Sequence, residues 1–422
     1  MTQTPVRAGV LLALLSAAGA CSQEFRNGAP AGETAAGKVA KSARARASAF
    51  RPELPLNTWV RVKPEYGPGP DGGKHLPSGW NKLVYDPVGR RVIYMDRWKD
   101  KKRSKSIYAN AVMAFDVAAN TVTCVKLTNW KRQDMKGGGY RTVALPENEQ
   151  DPTPCDRHPY GNMTFVPDKN SLYLSAGANR TAYSGGHRGH KICRDTWRLD
   201  MKQRRWVRID ESSTRPPGGL EDVMEYDRAA KVIVRICRGR ATWLLDVETG
   251  RWRDSGCKDN PDSGMGAAMC YDSKRRRVMV FGGGGGKGRA WNQPHSRCYA
   301  YSVKDNAWTR LADVPVPVRS MGAAYDSKRD LVMIQPRRRQ NPRQLLFYSP
   351  GKDAWRKLVL PADAKVPMPG WHTLAYDEAH DVCVRAAGPW SDPQWWIIRP
   401  DPPRAVDARA PPEEAQSSER RE

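Results

Sequence analysis

Ala267–Ala268–Met269–Cys270–Tyr271–Asp272, the basic turn Ser273–Lys274–Arg275–Arg276 and Arg277–Val278–Met279–Val280–Phe281 open the stretch that decides the fold. A glycine run from Gly282 to Gly286 follows. Tyr299–Ala300–Tyr301–Ser302–Val303, Asp305–Asn306–Ala307 and Trp308–Thr309–Arg310–Leu311 complete it. Short β-branched and aromatic runs separated by turn residues predict four strands. The same order of features recurs along the chain, and a repeat decides architecture before any single residue is weighed.

Five first strands end in Tyr–Asp: Tyr85–Asp86, Tyr226–Asp227, Tyr271–Asp272, Tyr325–Asp326 and Tyr376–Asp377. A degenerate copy reads Phe165–Val166–Pro167–Asp168. β-branched second strands follow, for example Val232–Ile233–Val234 and Leu331–Val332–Met333–Ile334. The fourth strand usually carries Trp, at Trp206, Trp252, Trp308 and Trp355, with Val125 in the first unit. Six units at a period of roughly 40–50 residues, stretched by insertions, predict an all-β fold: a six-bladed β-propeller of four-stranded blades over residues 53–403. The sixth unit lacks a fourth strand, because Arg399–Pro400–Asp401–Pro402–Pro403 cannot continue a central strand. Asn57–Thr58–Trp59–Val60–Arg61–Val62 matches Asn306–Ala307–Trp308–Thr309–Arg310–Leu311. This N-terminal strand is therefore expected to close the last blade and leave the ring without a free edge.

The glycine pair after the second strand and the Trp of the fourth resemble the Kelch repeat, over residues 57–400. Only the copy at 263–311 keeps both glycines. The resemblance implies blades around a central channel. That family includes the propeller of galactose oxidase, a periplasmic sialic-acid mutarotase and many binding scaffolds, so fold alone does not select a function. The copper-radical chemistry of the oxidase would require a Tyr–His dipeptide, which this chain lacks; His372 follows Trp371 instead.

The ends read as export and tethering. Residues 1–21 form a signal peptide: Arg7, an apolar run from Ala8 to Leu15, then small residues up to Cys21. The run is too short to span a membrane. Ala18–Gly19–Ala20 fits either lipidation of Cys21, giving a membrane tether, or cleavage after Ala20. Residues 22–52 read as a flexible tether and 404–422 as a disordered tail. An extracytoplasmic location, periplasmic or on the cell surface, follows as the expectation, and export permits disulfides. The repeat places Cys193, Cys237, Cys257 and Cys298 at one end of the ring, so Cys193–Cys237 and Cys257–Cys298 are candidate pairs. Cys270 and Cys383 fall mid-strand and read as core thiols. No CxxC pair is present, and His187 with His190 has no third ligand at fixed spacing. No metal and no cofactor are expected.

Lys and Arg number 70 against 45 Asp and Glu, a net charge of +25. Such a balance favours anionic partners without specifying a fold. The connectors between second and third strands share one face of a propeller. They carry Arg97, Lys101, Lys102, Arg103, Arg188, Arg289, Arg337, Arg338 and Arg339; five of them hold 19 basic residues and one acid, Asp100. The sixth, Gly388–Pro389–Trp390–Ser391–Asp392, is not basic. The hairpin turns of the other face are basic too, at Lys202–Gln203–Arg204–Arg205 and Lys274–Arg275–Arg276. Docking of an anionic glycan or other polyanion, or of a protein, and a merely solvated basic surface both fit. A monomer is expected.

The leading residues of the first strands line the channel mouth on the connector face: Trp80, Asn81, His158, Tyr160, Glu221, Asp222, Met265, Arg319, Met321, Trp371 and His372. Aromatic planes, an Arg and imidazoles suit a sugar ring bearing a carboxylate or sulfate; the same residues could simply fill the neck. A sugar-modifying enzyme resembling the mutarotase would need an acid–base pair, drawn from His158, Glu221 and His372. No Gly-x-Ser-x-Gly elbow is present. The insertion at 128–157 reads as either a capping loop or a connector.

Overall fold

The computed structural model describes residues 54–401 apart from 68–75, 78–80, 100–105, 108–110, 128–129, 135–139, 145–150, 156, 180–190, 210–213, 220, 238–240, 262–265, 285–292, 337–341, 368–372 and 388–393. The segments expected as signal peptide with Cys21 (1–21), tether (22–52) and tail (404–422) lie outside the described residues. The described chain is a six-bladed β-propeller. Blade 1 is Val84–Asp86, Arg91–Lys99, Val112–Asp116 and Thr121–Lys126. Blade 2 is Met163–Val166, Ser171–Ser175, Thr196–Asp200 and Arg205–Ile209. Blade 3 is Val223–Asp227, Val232–Cys237, Ala241–Asp246 and Arg251–Asp254. Blade 4 is Ala268–Asp272, Arg277–Phe281, Cys298–Ser302 and Ala307–Leu311. Blade 5 is Ala323–Asp326, Leu331–Ile334, Gln344–Ser349 and Ala354–Val359. Blade 6 is Leu374–Asp377, Val382–Ala387 and Gln394–Ile398, completed by Val60–Val62 from the N-terminal side.

The closure expected from Trp59 is present. Val60, Arg61 and Val62 pair antiparallel with Ile397, Trp396 and Trp395. Asn57 fastens the join: its Nδ2 donates to the Asp401 carbonyl and its Oδ1 accepts the Asp401 amide. Asn57 and its counterpart Asn306 share the left-handed backbone, at φ 57° and 48°, a conformation that Asn tolerates better than most residues.

One turn is built over and over. The fourth residue after a hairpin strand is left-handed at Arg90, Asn120, Asn170, Arg204, Lys231, Arg276, Asn306, Asp330, Asp353 and Asp381, with Gly250 at the remaining site. The strand-final Asp supports it. Asp86 Oδ1 accepts the amides of Val88 and Gly89, and Asp326 Oδ1 those of Lys328 and Arg329. Asp at this place is thus an Asx-turn former, which the Tyr–Asp repeat encodes. The preceding Tyr reaches a carboxylate: Tyr325 donates to Asp330 and Tyr376 to Asp381, while Tyr226 donates across the blade boundary to Asp168.

Six apolar clusters occupy the six boundaries between neighbouring blades. Fully burying one aliphatic or aromatic side chain contributes about 1.5–3 kcal/mol, against about 0–1 kcal/mol for an exposed ion pair, so these clusters hold the ring. The fourth-strand tryptophans cross the boundaries. Trp252 donates to Thr196 Oγ1 of blade 2, Trp308 to Thr242 Oγ1 of blade 3 and Trp355 to the Ala312 carbonyl. In blade 1 the corresponding residue is Val122, which pairs with Phe115 as Trp206 pairs with Leu199, and not Val125. Val125 falls instead at the register irregularity opposite Val112/Met113.

The insertion at 128–157 contains an antiparallel hairpin, Trp130–Asp134 with Tyr140–Ala144. Neither candidate disulfide is formed: all eight described cysteines are free thiols. Cys193 faces Cys155 rather than Cys237. Cys257 packs at the boundary of blades 3 and 4, Cys298 in the core between blades 4 and 5. Cys270 and Cys383 are buried, as mid-strand positions require.

Candidate functional site

The inner strands enter the ring from the connector end, and their leading residues meet there. Asn81 and Tyr160 form a parallel bridge, as do Gly161 and Val223. Asn81 is buried and its Nδ2 donates to the Met95 carbonyl. His158, also buried, stacks on Tyr160 with ring centroids 5.4 Å apart and planes 25° off parallel. Tyr160 holds a left-handed φ of 52°, a strained setting for an aromatic residue and one that clusters at sites. From across the mouth, Arg319 Nη2 reaches both oxygens of Glu221, at 3.1 and 2.9 Å. The Ser320 hydroxyl approaches Glu221 Oε2 at 3.4 Å.

The structure thus forms two groupings of the expected residues, Asn81, His158 and Tyr160 in one and Glu221 with Arg319 in the other. Asp222 leaves the set: it is buried and bound by Arg235, which is itself wholly buried and also donates to Ser175 Oγ and the Pro217 carbonyl. Met321 is buried in the core between blades 4 and 5. Trp80, Met265, Trp371 and His372 lie outside the described residues, as do His187 and His190.

Below the mouth the channel narrows to a space of about 10 Å³ lined by Gly161, Val223, Ala267, Met269, Met321 and Leu374, among others. That is room for about one water. Close approach sets this neck: a Cβ on Gly322 would stand 2.6 Å from Leu374 Cβ. Beyond it, toward the hairpin turns, the channel opens into a cavity of about 170 Å³. Tyr85, Phe165, Tyr226, Tyr271, Tyr325 and Tyr376 wall it, the repeated residue of each blade. Burial, with neighbouring carboxylates, raises the hydroxyls of Tyr226, Tyr325 and Tyr376 above their usual range, so they remain protonated donors.

A charged pair sits in this cavity that the repeat did not reveal. Lys82 of blade 1 donates to Glu225 Oε2 of blade 3 at 2.6 Å and to the Met224 carbonyl at 2.9 Å. Thr164 of blade 2 donates to Glu225 Oε1 at 2.7 Å. The signal was in the alignment: the positions of Lys82 and Glu225 are filled elsewhere mostly by small or apolar residues, such as Val223, Ala268 and Gly322 for the first, and Cys270, Ala324 and Ala375 for the second. Charged residues buried without pairing are rare, so two of opposite sign on inner strands imply a pair across the channel.

The basic faces behave differently from each other. At the hairpin face, Arg275 binds Asp272 of its own turn and grips Asp330 of blade 5 with two nitrogens, at 2.8 and 2.7 Å. Arg329 repeats this with Asp326 and Asp381 of blade 6. Those arginines are ties between blades. At the connector face, the flanking strand ends Cys237 and Ala241, Phe281 and Cys298, and Ile334 and Gln344 all lie opposite the hairpin turns. Lys101, Lys102, Arg103, Arg188, Arg289, Arg337, Arg338 and Arg339 lie outside the described residues; Arg97 is described in its backbone, opposite Leu76. Comparison with known protein families and with curated proteins gives no match.

Proposed function

We propose that this chain is a Kelch-type binding module that takes an anionic glycan on its connector face. The carrying observation is the contrast between faces. Arg275 and Arg329 of the hairpin face are committed to Asp330 and Asp381, whereas five connectors of the other face hold 19 basic residues against one acid. Nearby acids are engaged: Asp222 by Arg235, Asp195 by Arg157 and Glu221 by Arg319. Glu221 holds Arg319 through both oxygens, which weighs against acid–base chemistry there. The Kelch assignment is supported by the glycine pair. Gly282 and Gly283 have φ 60° and 122°, and a Cβ on Gly282 would lie 2.3 Å from the Val318 carbonyl oxygen. Ala176–Gly177 repeats the bend in blade 2, at 59° and 99°. The same reading takes the chain as exported, and either tethered through Cys21 or released by cleavage.

The test is retention of the full chain on immobilised heparin, polyuronate and neutral dextran at roughly 50 and 300 mM salt. Affinity for the two acidic glycans should fall steeply with salt as the gain from releasing counterions into bulk shrinks. Arg337→Glu, Arg338→Glu and Arg339→Glu together should weaken it at least tenfold at low salt, with the melting temperature unchanged. Equal retention on dextran, or retention insensitive to salt, overturns the reading.

A further inference from the structure

Blade 2 carries a small second sheet at the connector face. Arg157–His158, Ala178–Asn179 and Lys191–Ile192 pair antiparallel, with Ala178–Asn179 in the middle. Cys155 precedes its first strand by two residues, and Cys193 follows its last directly. Their sulfurs are 3.6 Å apart, although the two positions are 38 apart in sequence. Cys155 lies near the end of the insertion at 128–157, so this contact joins the insertion to blade 2.

The setting is built. Arg157 is wholly buried and places Nη2 3.1 Å from Cys155 Sγ. The same guanidinium holds the Asp195 carboxylate at 2.6 and 2.9 Å and donates to the Ala176 carbonyl at 3.1 Å. Trp197 Nε1 also donates to Asp195 Oδ2, at 2.7 Å. Cys193 is oriented by its amide, which donates to the Gly177 carbonyl at 2.9 Å. Both thiols are partly exposed, whereas Cys237, Cys270, Cys298 and Cys383 are buried.

We propose that Cys155 and Cys193 are a thiol pair that oxidises to a disulfide, with an external disulfide (a low-molecular-weight one or that of a thiol oxidoreductase) as the electron acceptor. A cation touching a sulfur stabilises the thiolate, which is the attacking species. The Cys155 thiolate, its proton lost to solvent, attacks one sulfur of the external disulfide and expels the other as a thiolate. Cys193 then loses its proton and attacks Cys155 Sγ in the mixed disulfide, expelling the second external thiolate. The Cys155–Cys193 bond forms, the external bond is broken, and two electrons and two protons pass to the acceptor and solvent. The product clamps the small sheet that carries His158, and closes a loop of blade 2 across the insertion's end.

The experiment uses the full chain, equilibrated in buffers of stepped reduced-to-oxidised glutathione ratio, then alkylated, digested without reduction and read by mass spectrometry. The expected result is one peptide pair joined through Cys155 and Cys193, two hydrogens lighter than the dithiol, forming while Cys270 and Cys383 take label only after denaturation. The oxidised chain should melt on the order of 5 °C higher than the reduced one, and Cys193→Ser should abolish that difference. Full alkylation of both residues at the most oxidising ratio in a chain that still melts cooperatively overturns the proposal, as does a link from either to another cysteine. Linkage with no rise in melting temperature overturns the clamping role.

Discussion

At the residue scale, the connector end of blade 2 depends on a single carboxylate. Burial would raise the Asp195 carboxyl, but the Arg157 guanidinium and the hydrogen bonds from Arg157 and Trp197 outweigh it and hold the group at about 2. A carboxylate lowered by folding contributes stability that is fully present above its unfolded value near 4 and is lost as pH falls through the folded value near 2. A shift of that size corresponds to on the order of 2 kcal/mol. Asp195→Asn should therefore cost roughly that much in urea unfolding at pH 7, and the gap to wild type should shrink between pH 4 and pH 2. A gap that stays constant over that range assigns the cost to lost packing instead. Single residues were the least legible level in sequence. Cys155 lies in an insertion outside the repeat, so no alignment could set it beside Cys193; the pairing with Cys237 followed from the only frame the repeat provides.

At the scale of elements, the hairpin turns show why a motif can be read correctly and its use missed. Tyr–Asp and the short turn after it were visible as a pattern, and the pattern is local, since Asx-turn bonding acts over three residues; the left-handed fourth residue came only with the structure. The arginine in the turn was visible too, but only as charge. Its second partner lies 52 to 55 residues further on, as Arg329 to Asp381 and Arg275 to Asp330, and such a partner is set by how blades abut. Arg329 holds Asp381 in a two-pronged contact with both side chains about a quarter exposed. The hydrogen bond from Arg329, foremost, lowers the Asp381 carboxyl to about 2. A double-mutant cycle of Arg329→Ala and Asp381→Ala should return a coupling of about 1 kcal/mol, allowing for solvent screening. Additive costs would show that the tie is geometric only.

At the scale of the whole molecule, ring closure is the decisive event. Each blade boundary has an apolar cluster, and the last one formed along the chain must wait for residues 59–62 to meet Gln394–Ile398. Trp59 is buried in the cluster between blades 5 and 6. Trp59→Ala should cost about 3–5 kcal/mol, the range for removing a large buried aromatic, and should broaden the denaturant transition because blade 6 then frays separately. A loss under about 1 kcal/mol with unchanged cooperativity would show that backbone pairing alone closes the ring.

The sequence by itself determined the number of blades, the strand order within each, the closing strand and the end of the ring on which the basic connectors begin. All of these follow from periodicity and turn chemistry, which act between neighbours along the chain. Only the tertiary structure decided which charges are already paired, that Glu221 and Arg319 meet across the mouth, that Lys82 and Glu225 meet inside the channel, and that Cys155 faces Cys193. Those are contacts between residues far apart in the chain. Their geometry is set by the diameter of the closed ring and the packing at its six boundaries, and neither quantity is written in any one repeat.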